Sequence, residues 1–233
     1  MRPRAVLFDV FGTLVDWRGS LIAELTAFGE RSAIAADWAG LVDAWRGAYQ
    51  PSMQRVRSGE APFATLDALQ RESLDGLLVR FGIPGVEEAE RDWMVSLWHR
   101  LRPWPDSVAG LAALRGKAIT GTLSNGHVAL LVSLAKTGGM SFDVIFGADI
   151  FRHYKPDPET YLGACALLDL APGEVMLAAA HNADLAAARS SGLKTGFIPR
   201  PDEYGPTQHR DLRAEADWDV IADSVGALAE KIG

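Results

Sequence analysis

Hydrophobic positions divide the chain into two zones with different periods. From residue 20 to residue 101, apolar residues recur at helical spacing in stretches separated by Gly-, Pro- or Asp-containing breaks. The predicted helices cover 20–31, 38–56, 64–81 and 86–101. After residue 103, short apolar strands alternate with helical stretches, and the predicted strands cover 118–123, 144–146, 175–179, 195–198 and 220–221. This alternation is typical of parallel βαβ units.

One apolar run, 5–8, stands apart because it precedes the helical zone. It predicts a first strand that belongs with the later strands, although a long helical segment separates them in the chain. We therefore expect an α/β fold: a doubly wound parallel-sheet, Rossmann-like core made of residues 1–15 and 102–233, with a helical cap, residues 16–101, inserted after the first strand.

Polar residues follow the predicted strands where such a sheet holds its ligands. Asp9 ends the first strand and opens into a Gly-containing turn, so it lies at the carboxyl end of a buried strand. The alternative is an Asp that only ends the strand and caps a turn. Ser124 and Asn125 follow the strand at 118–123, just before a predicted helix that can offer donors to an anion. They also fit an ordinary turn.

The segment from Asp9 to Leu14 resembles motif I of the haloacid dehalogenase (HAD) superfamily, whose members use this first Asp as a nucleophile. In the phosphatases of that superfamily a second Asp, two residues later, protonates the leaving alcohol. Here that position holds Phe11, which cannot transfer a proton. A halide is a weak base and leaves without one. The resemblance is therefore to the 2-haloacid dehalogenase branch.

Two further motifs follow in the order that this superfamily uses. Ser124 and Asn125 resemble motif II. Lys155 opens a Lys-Pro-Asp-Pro segment that resembles motif III and precedes a predicted helix carrying Tyr161. The resemblance implies that Lys155 lies beside Asp9, where a cation keeps the carboxylate ionised and attracts an anionic substrate. As an isolated residue, Lys155 could equally be a solvated surface charge.

The fourth motif departs from the family pattern. With Asp184 in its last position, the acid that helps superfamily phosphatases to hold magnesium falls on Ala180, which weakens any Mg²⁺ site. Many haloacid dehalogenases have Ser-Ser-Asn where this chain has Ala179, Ala180 and His181. We predict that His181 replaces the Asn by positioning the hydrolytic water or by accepting its proton. The alternative is a hydrogen-bonded structural histidine.

Candidate substrate contacts also come from the helical zone. Trp45-Arg46 resembles a pair that haloacid dehalogenases place in the cap, which implies that Arg46 reaches the leaving halide; the alternative is a solvated or ion-paired charge. Trp17 lies where the cap begins, whereas the other tryptophans indicate packing. The predicted site residues are, for catalysis, Asp9, Lys155, His181 and Asp184, and, for substrate binding, Phe11, Thr13, Trp17, Arg46, Ser124, Asn125 and Tyr161. We assign no chemical role to the loop 199–206.

Composition restricts the partners. A net charge of −7 and a pI near 5.2 argue against a nucleic-acid-binding surface, but they leave room for a local basic pocket. The chain has no recognisable signal sequence and no apolar run of about 18 residues, so we expect a cytoplasmic protein without a membrane span. Its single cysteine, Cys165, cannot form an intramolecular disulfide and is predicted to lie in the core. A homodimer is left open.

The predicted activity is that of a hydrolase acting on carbon–halide bonds, with a small anionic 2-haloacid as substrate and with halide as a product. Asp9 attacks the α-carbon to give an ester, and water then attacks the Asp9 carbonyl carbon to release a 2-hydroxyacid. No metal or cofactor is expected. Two alternatives remain: a magnesium-dependent phosphatase or phosphonatase-like hydrolase, disfavoured by Phe11 and Ala180, and a catalytically idle HAD-fold binding protein, suggested by the altered fourth motif.

Overall fold

The computed structural model describes residues 2–232, and a six-stranded parallel sheet forms the centre of this part of the chain. The strands are β1 (Ala5–Phe8), β4 (Ile119–Ser124), β5 (Val144–Gly147), β6 (Val175–Ala179), β7 (Lys194–Phe197) and β8 (Val220–Ile221). Their order in the sheet is β5-β4-β1-β6-β7-β8. Because β1 pairs with β4 on one side and with β6 on the other, the residue that follows β1 emerges where the strand order reverses.

Helices cover both faces of this sheet. They are α5 (Ser107–Arg115), α6 (Val128–Thr137), α7 (Ala148–Phe151), α8 (Pro158–Leu167), α9 (Asn182–Ser190) and α10 (Val225–Lys231). Val6 and Phe8 belong to one buried apolar cluster, whereas Ala5 and Leu7 belong to another. Since alternate residues of a strand point to opposite faces, the two clusters lie on the two sides of the sheet. The predicted doubly wound α/β core is confirmed.

Four further helices follow β1 and form the cap. They are α1 (Trp17–Arg31), α2 (Trp38–Arg57), α3 (Leu66–Arg80) and α4 (Glu88–Ser96). Asp16 and Asp37 begin α1 and α2 by accepting hydrogen bonds from the backbone N–H groups of Gly19 and Gly40. The predicted helices at 20–31, 38–56 and 64–81 agree with α1, α2 and α3 within a few residues.

Two features of the cap differ from the expectation. The predicted helix at 86–101 is shorter, because the chain tightens after Ser96 into a 3₁₀ turn (Leu97–Arg100), as often happens at helix ends. Strands β2 (Val15–Asp16) and β3 (Arg102–Pro103), which no apolar pattern predicted, pair antiparallel. They join the outgoing and returning chain where the helical segment leaves the core. At two residues each, they are too short to produce a recognisable period.

Two remaining expectations concern the core and the membrane. Cys165 is buried, as predicted, in the cluster on one side of the sheet, and burial raises the pKa of its thiol to about 11. Within residues 2–232 no helix has both the length and the apolar character needed to cross a bilayer.

Candidate active site

The carboxyl edge of the sheet brings the four predicted catalytic residues together. Asp9 directly follows β1, His181 lies two residues beyond β6, and Asp184 is in the first turn of α9. Lys155 comes from the loop between α7 and α8. Segments far apart in the chain meet here because parallel strands all end at the same edge.

Both oxygens of Asp9 are held by neighbouring side chains. Lys155 Nζ donates to Asp9 Oδ1 over 2.9 Å, and Thr13 Oγ1 donates to Oδ2 over 2.8 Å. His181 Nδ1 lies 3.2 Å from the same Oδ2. Burial alone would raise the pKa of Asp9, but the charges of Lys155 and His181 outweigh it and hold that pKa well below its usual range. Asp9 is therefore a buried, ionised carboxylate.

Lys155 is fixed by contacts on three sides. Its ammonium group also donates to Asp184, whose other oxygen accepts from Tyr161 OH over 2.6 Å. Its backbone N–H donates to Asn125 Oδ1 over 2.7 Å. Burial would lower the pKa of Lys155, but Asp184 and Asp9 outweigh it and raise that pKa above its usual value. Lys155 therefore stays protonated beside Asp9.

The far edge of the His181 ring contacts Glu203, a residue that the sequence did not single out. His181 Nε2 lies 2.9 Å from Glu203 Oε2 and 3.1 Å from Oε1. Burial, which alone would lower the pKa of His181, is outweighed by Glu203 and Asp9, so this pKa lies well above its usual value. The imidazole thus forms a bridge between two carboxylates and carries a proton on each nitrogen.

The carboxylate of Glu203 is buried and closely surrounded by other residues. It is 1% exposed, and Trp17 Nε1 donates to its Oε1 over 3.0 Å. Arg46 Nη2 lies 4.0 Å from the same oxygen. Gly12 has a φ of +86°, and a Cβ added there would lie 2.1 Å from Glu203 Oε1. The turn after Asp9 therefore needs glycine both for its backbone conformation and for the close approach of Glu203.

Arg46 lies in an aromatic pocket rather than in solvent. Its guanidinium carbon is 4.3 Å from the ring centroid of Tyr49 and 5.3 Å from that of Trp17. Arg46 Nη1 is buried and has no hydrogen-bond partner within residues 2–232. Phe11 packs in T-shaped contacts with Tyr49 and Trp98, whose ring centroids lie 6.4 and 5.8 Å away. The cap thus supplies one buried cation and an apolar wall.

A cavity of about 230 Å³ opens between these groups. It is lined by Asp9, Phe11, Arg46, Tyr49, Gln50, Asn125, Lys155, Pro156, Tyr161, His181, Ala183, Asp184, Tyr204, Arg210 and Asp211. Its volume suits a small molecule, and its wall presents cations beside an ionised carboxylate. Such a site can hold a small anion next to a nucleophile.

Three residues predicted to bind substrate, Thr13, Trp17 and Ser124, do not line this cavity. Thr13 is buried, and its hydroxyl donates to Asp9 Oδ2. Trp17 is buried, and its indole N–H donates to Glu203. The Ser124 hydroxyl accepts from the backbone N–H of Gly126 and so stabilises its own turn. The substrate-binding role expected for these three side chains stays a prediction.

Comparison with known proteins identifies the family. The family described as haloacid dehalogenase-like hydrolase matches residues 3–192. The chain belongs to the haloacid dehalogenase-like hydrolases. The enzyme class expected from the sequence, a hydrolase, is therefore confirmed.

Within this family, the chain is similar to haloacid dehalogenases. It is 30% identical over 216 residues to (S)-2-haloacid dehalogenase 1 of Pseudomonas sp. (strain CBS-3), covering 89% of this chain and 91% of that one. The crystal structure of the L-2-haloacid dehalogenase PA0810 is 52% identical and has a TM-score of 0.96, with 99% and 98% of the two chains covered. A defluorinating L-2-haloacid dehalogenase of known structure is 48% identical, with a TM-score of 0.96 and coverage of 99% and 95%. The predicted resemblance to this branch is confirmed.

The magnesium site of other haloacid dehalogenase-like hydrolases does not fit the residues of this chain. Ala180 occupies the position of the expected acidic ligand, and its backbone N–H donates to Thr13 Oγ1 over 2.9 Å. Asp9 Oδ1 already accepts from Lys155, while Oδ2 contacts Thr13 and His181. A hard cation needs several oxygen ligands, whereas here two cationic nitrogens and one hydroxyl group contact the carboxylate.

Proposed function

We propose that this protein hydrolyses short 2-haloacids to 2-hydroxyacids through a covalent ester of Asp9 and without a metal ion. The observation that carries the proposal is the ionised Asp9 carboxylate in a small cavity, with Lys155 on one side and Phe11 in place of an acid. The similarity to proteins named 2-haloacid dehalogenases supports the same chemistry.

In the first step, an oxygen of Asp9 attacks the substrate α-carbon from the side opposite the halogen. A C–O bond forms, the C–X bond breaks, and the configuration at carbon inverts. The halide leaves with its electron pair and needs no proton. We assign Arg46 to stabilise the departing halide, because its buried Nη1 has no hydrogen-bond partner within residues 2–232.

In the second step, water attacks the carbonyl carbon of the Asp9 ester. Esterification removes the negative charge of Asp9, which helps to hold the proton on His181 Nδ1. The pKa of His181 should then fall, and its Nδ1 proton leaves for solvent. The neutral imidazole, still hydrogen-bonded to Glu203, accepts a proton from the attacking water.

These steps complete the catalytic cycle. The acyl–oxygen bond of the ester breaks, and the former Asp9 oxygen leaves as the hydroxyl oxygen of the product, taking the second proton of the attacking water, while Asp9 keeps the water oxygen. Lys155, 2.9 Å from Asp9 Oδ1, stabilises the negative charge of the tetrahedral intermediate. His181 ends protonated beside an ionised Asp9, as in the resting enzyme, and each turnover releases one halide and one proton.

Halide release distinguishes this proposal from its alternatives. Chloroacetate, fluoroacetate and each enantiomer of 2-chloropropionate should be assayed with excess chelator, beside phosphate release from phosphoglycolate with magnesium. We expect chelator-resistant halide release and no phosphate release. Phosphate release that requires magnesium would support the phosphatase alternative, and neither activity would support a catalytically idle binding protein.

A further inference from the structure

A second group of titratable side chains lies outside the cavity, where the cap meets the core. Asp67 lies in the first turn of α3, His99 in the 3₁₀ turn that ends the cap, and His127 directly before α6. One nitrogen or oxygen atom from each residue lies within 4.8 Å of the other two. The proposed reaction uses none of the three.

The geometry around the Asp67 carboxylate is close to that of a metal site. His99 Nε2 is 2.8 Å from Asp67 Oδ2, and His127 Nε2 is 3.5 Å from the same atom. The two rings meet at 68°, with centroids 5.7 Å apart. In a tetrahedral zinc site with bonds of about 2.0–2.1 Å, ligand atoms lie about 3.3 Å from one another. The two contacts with Asp67 Oδ2 differ from this spacing by about half an ångström or less, and the remaining pair of ligand atoms, which lies within 4.8 Å, by at most about 1.5 Å. Side-chain movements of that size would accommodate the ion.

Two atoms of the group have no protein partner. Asp67 Oδ1 and His127 Nδ1 are buried and make no hydrogen bond with any group in residues 2–232. A buried carboxylate oxygen without a donor is costly. Hydrogen bonds among the three side chains do not remove that cost, because both imidazoles approach the other oxygen, Oδ2. A cation held by the carboxylate, with a bound water as a further donor, stabilises Oδ1.

We propose that Asp67, His99 and His127 bind one zinc ion, with solvent as the fourth ligand. Two imidazole nitrogens and a carboxylate oxygen form a donor set that zinc accepts. Because α3 belongs to the cap and His127 to the core, the ion would fasten the cap over the sheet edge. His127 lies two residues after Asn125, whose Oδ1 accepts a hydrogen bond from the Lys155 backbone N–H. The ion would therefore stabilise one wall of the cavity without contacting substrate.

Zinc affinity tests the proposal directly. The full chain without an affinity tag is stripped with chelator, dialysed, and titrated with Zn²⁺ against a chromophoric chelator. We expect one equivalent to bind, and we expect His99→Gln and Asp67→Asn each to weaken binding by at least about 10-fold. His153→Gln is the matched control, because His153 also contacts a carboxylate, that of Asp157, but belongs to no such three-residue group within residues 2–232.

Two spectroscopic measurements add independent evidence. Co²⁺ in the same site should give the intense visible absorption of tetrahedral coordination, which His99→Gln should remove. Zinc should also slow amide hydrogen exchange in α3 and in residues 97–100. Both measurements are made without substrate, so they do not depend on the proposed dehalogenase activity.

Either of two results would overturn the zinc site. One is a wild-type dissociation constant weaker than about 100 μM. The other is stoichiometric binding that survives His99→Gln. The His99 and Asp67 side chains are both partly exposed, 24% and 32%, so each tolerates a polar substitution of similar size. Circular dichroism monitors the fold of each variant, and His99→Gln decides the question if Asp67→Asn fails to fold.

Discussion

His181 Nδ1 lies 3.2 Å from Asp9 Oδ2, and the opposite ring nitrogen lies 2.9 Å from Glu203 Oε2. One imidazole therefore links the proposed nucleophile to a carboxylate from a loop distant in the chain. Both carboxylates raise the pKa of His181, and ester formation removes the contribution of Asp9. Ester formation is thus expected to convert His181 from a proton donor into a base without any movement of the ring.

Asp9→Asn tests the nucleophile. The variant should fold normally and lose essentially all turnover, because an amide oxygen is a poor nucleophile and cannot form the ester. A single turnover of wild type in ¹⁸O-labelled water should place the label in the Asp9 carboxylate, detected by mass spectrometry of the peptide containing it. Label that appears in the product during that first turnover would contradict the covalent scheme.

Metal removal gives a second prediction. Since Lys155, Thr13 and His181 occupy the oxygens of Asp9, halide release should continue in excess EDTA and should not rise with added magnesium. Steady-state halide release with and without each reagent provides the measurement. A strict magnesium requirement would overturn the metal-free mechanism and favour the phosphatase-like alternative. Removal of zinc from Asp67, His99 and His127 should alter the rates of amide hydrogen exchange in the cap, but it should not abolish halide release.

The proton released in each turnover gives a third prediction. His181 should lose its Nδ1 proton when Asp9 becomes an ester, so in weak buffer a pH indicator should report a proton burst of about one equivalent, following halide release and preceding ester hydrolysis. Stopped-flow absorbance at high enzyme concentration resolves these phases. Proton release that follows only the slower hydrolysis would contradict the charge-dependent switch in His181.

Glu203→Gln tests the effect of Glu203 on His181 separately from the effect of Asp9. Glu203 raises the pKa of His181, so loss of its charge should lower that pKa. The rate of ester hydrolysis, which increases as His181 loses its proton, should then reach its plateau at a lower pH. The plateau itself should fall about 10-fold because the neutral amide stabilises the forming imidazolium less well.

Asp202→Asn is the control for that variant, because it removes an acid from the adjacent, exposed position of the same loop. It should leave the pH profile unchanged. If Glu203→Gln lowers the rate equally at every pH, Glu203 only maintains the structure of the loop. The pH profile therefore provides a readout that a purely structural role would not change.

The sequence predicted the positions that depend on strand ends. Asp9, Asn125 and His181 each follow an apolar strand, and parallel strands place their carboxyl ends together, so the order of apolar runs is enough to infer that these residues converge. Phe11 was informative because its chemistry excludes one role. Whether these residues perform the assigned roles stays a prediction until the variants are measured.

Glu203 could not be predicted in the same way. It lies in a Pro-containing loop without a period, and its approach to His181 depends on the turn at Gly12 and on the indole of Trp17. The only sequence signal was an acid shortly after a strand, which is common in surface loops. The Asp67 group was equally hidden, because its members come from the cap and the core and meet only through tertiary packing.

His181→Ala tests the second step of the reaction. Water attack on the ester needs a base, whereas halide departure does not, and Lys155 still keeps Asp9 ionised in the variant. Hydrolysis should therefore slow by about 10²-fold, so that the variant releases about one equivalent of halide per site and then stalls as the ester. His209→Ala, which alters an exposed histidine of a surface loop, should behave as wild type. Mass spectrometry of the stalled enzyme should find the Asp9 adduct, and equal slowing of the burst and the steady state would instead assign His181 to structure or substrate binding.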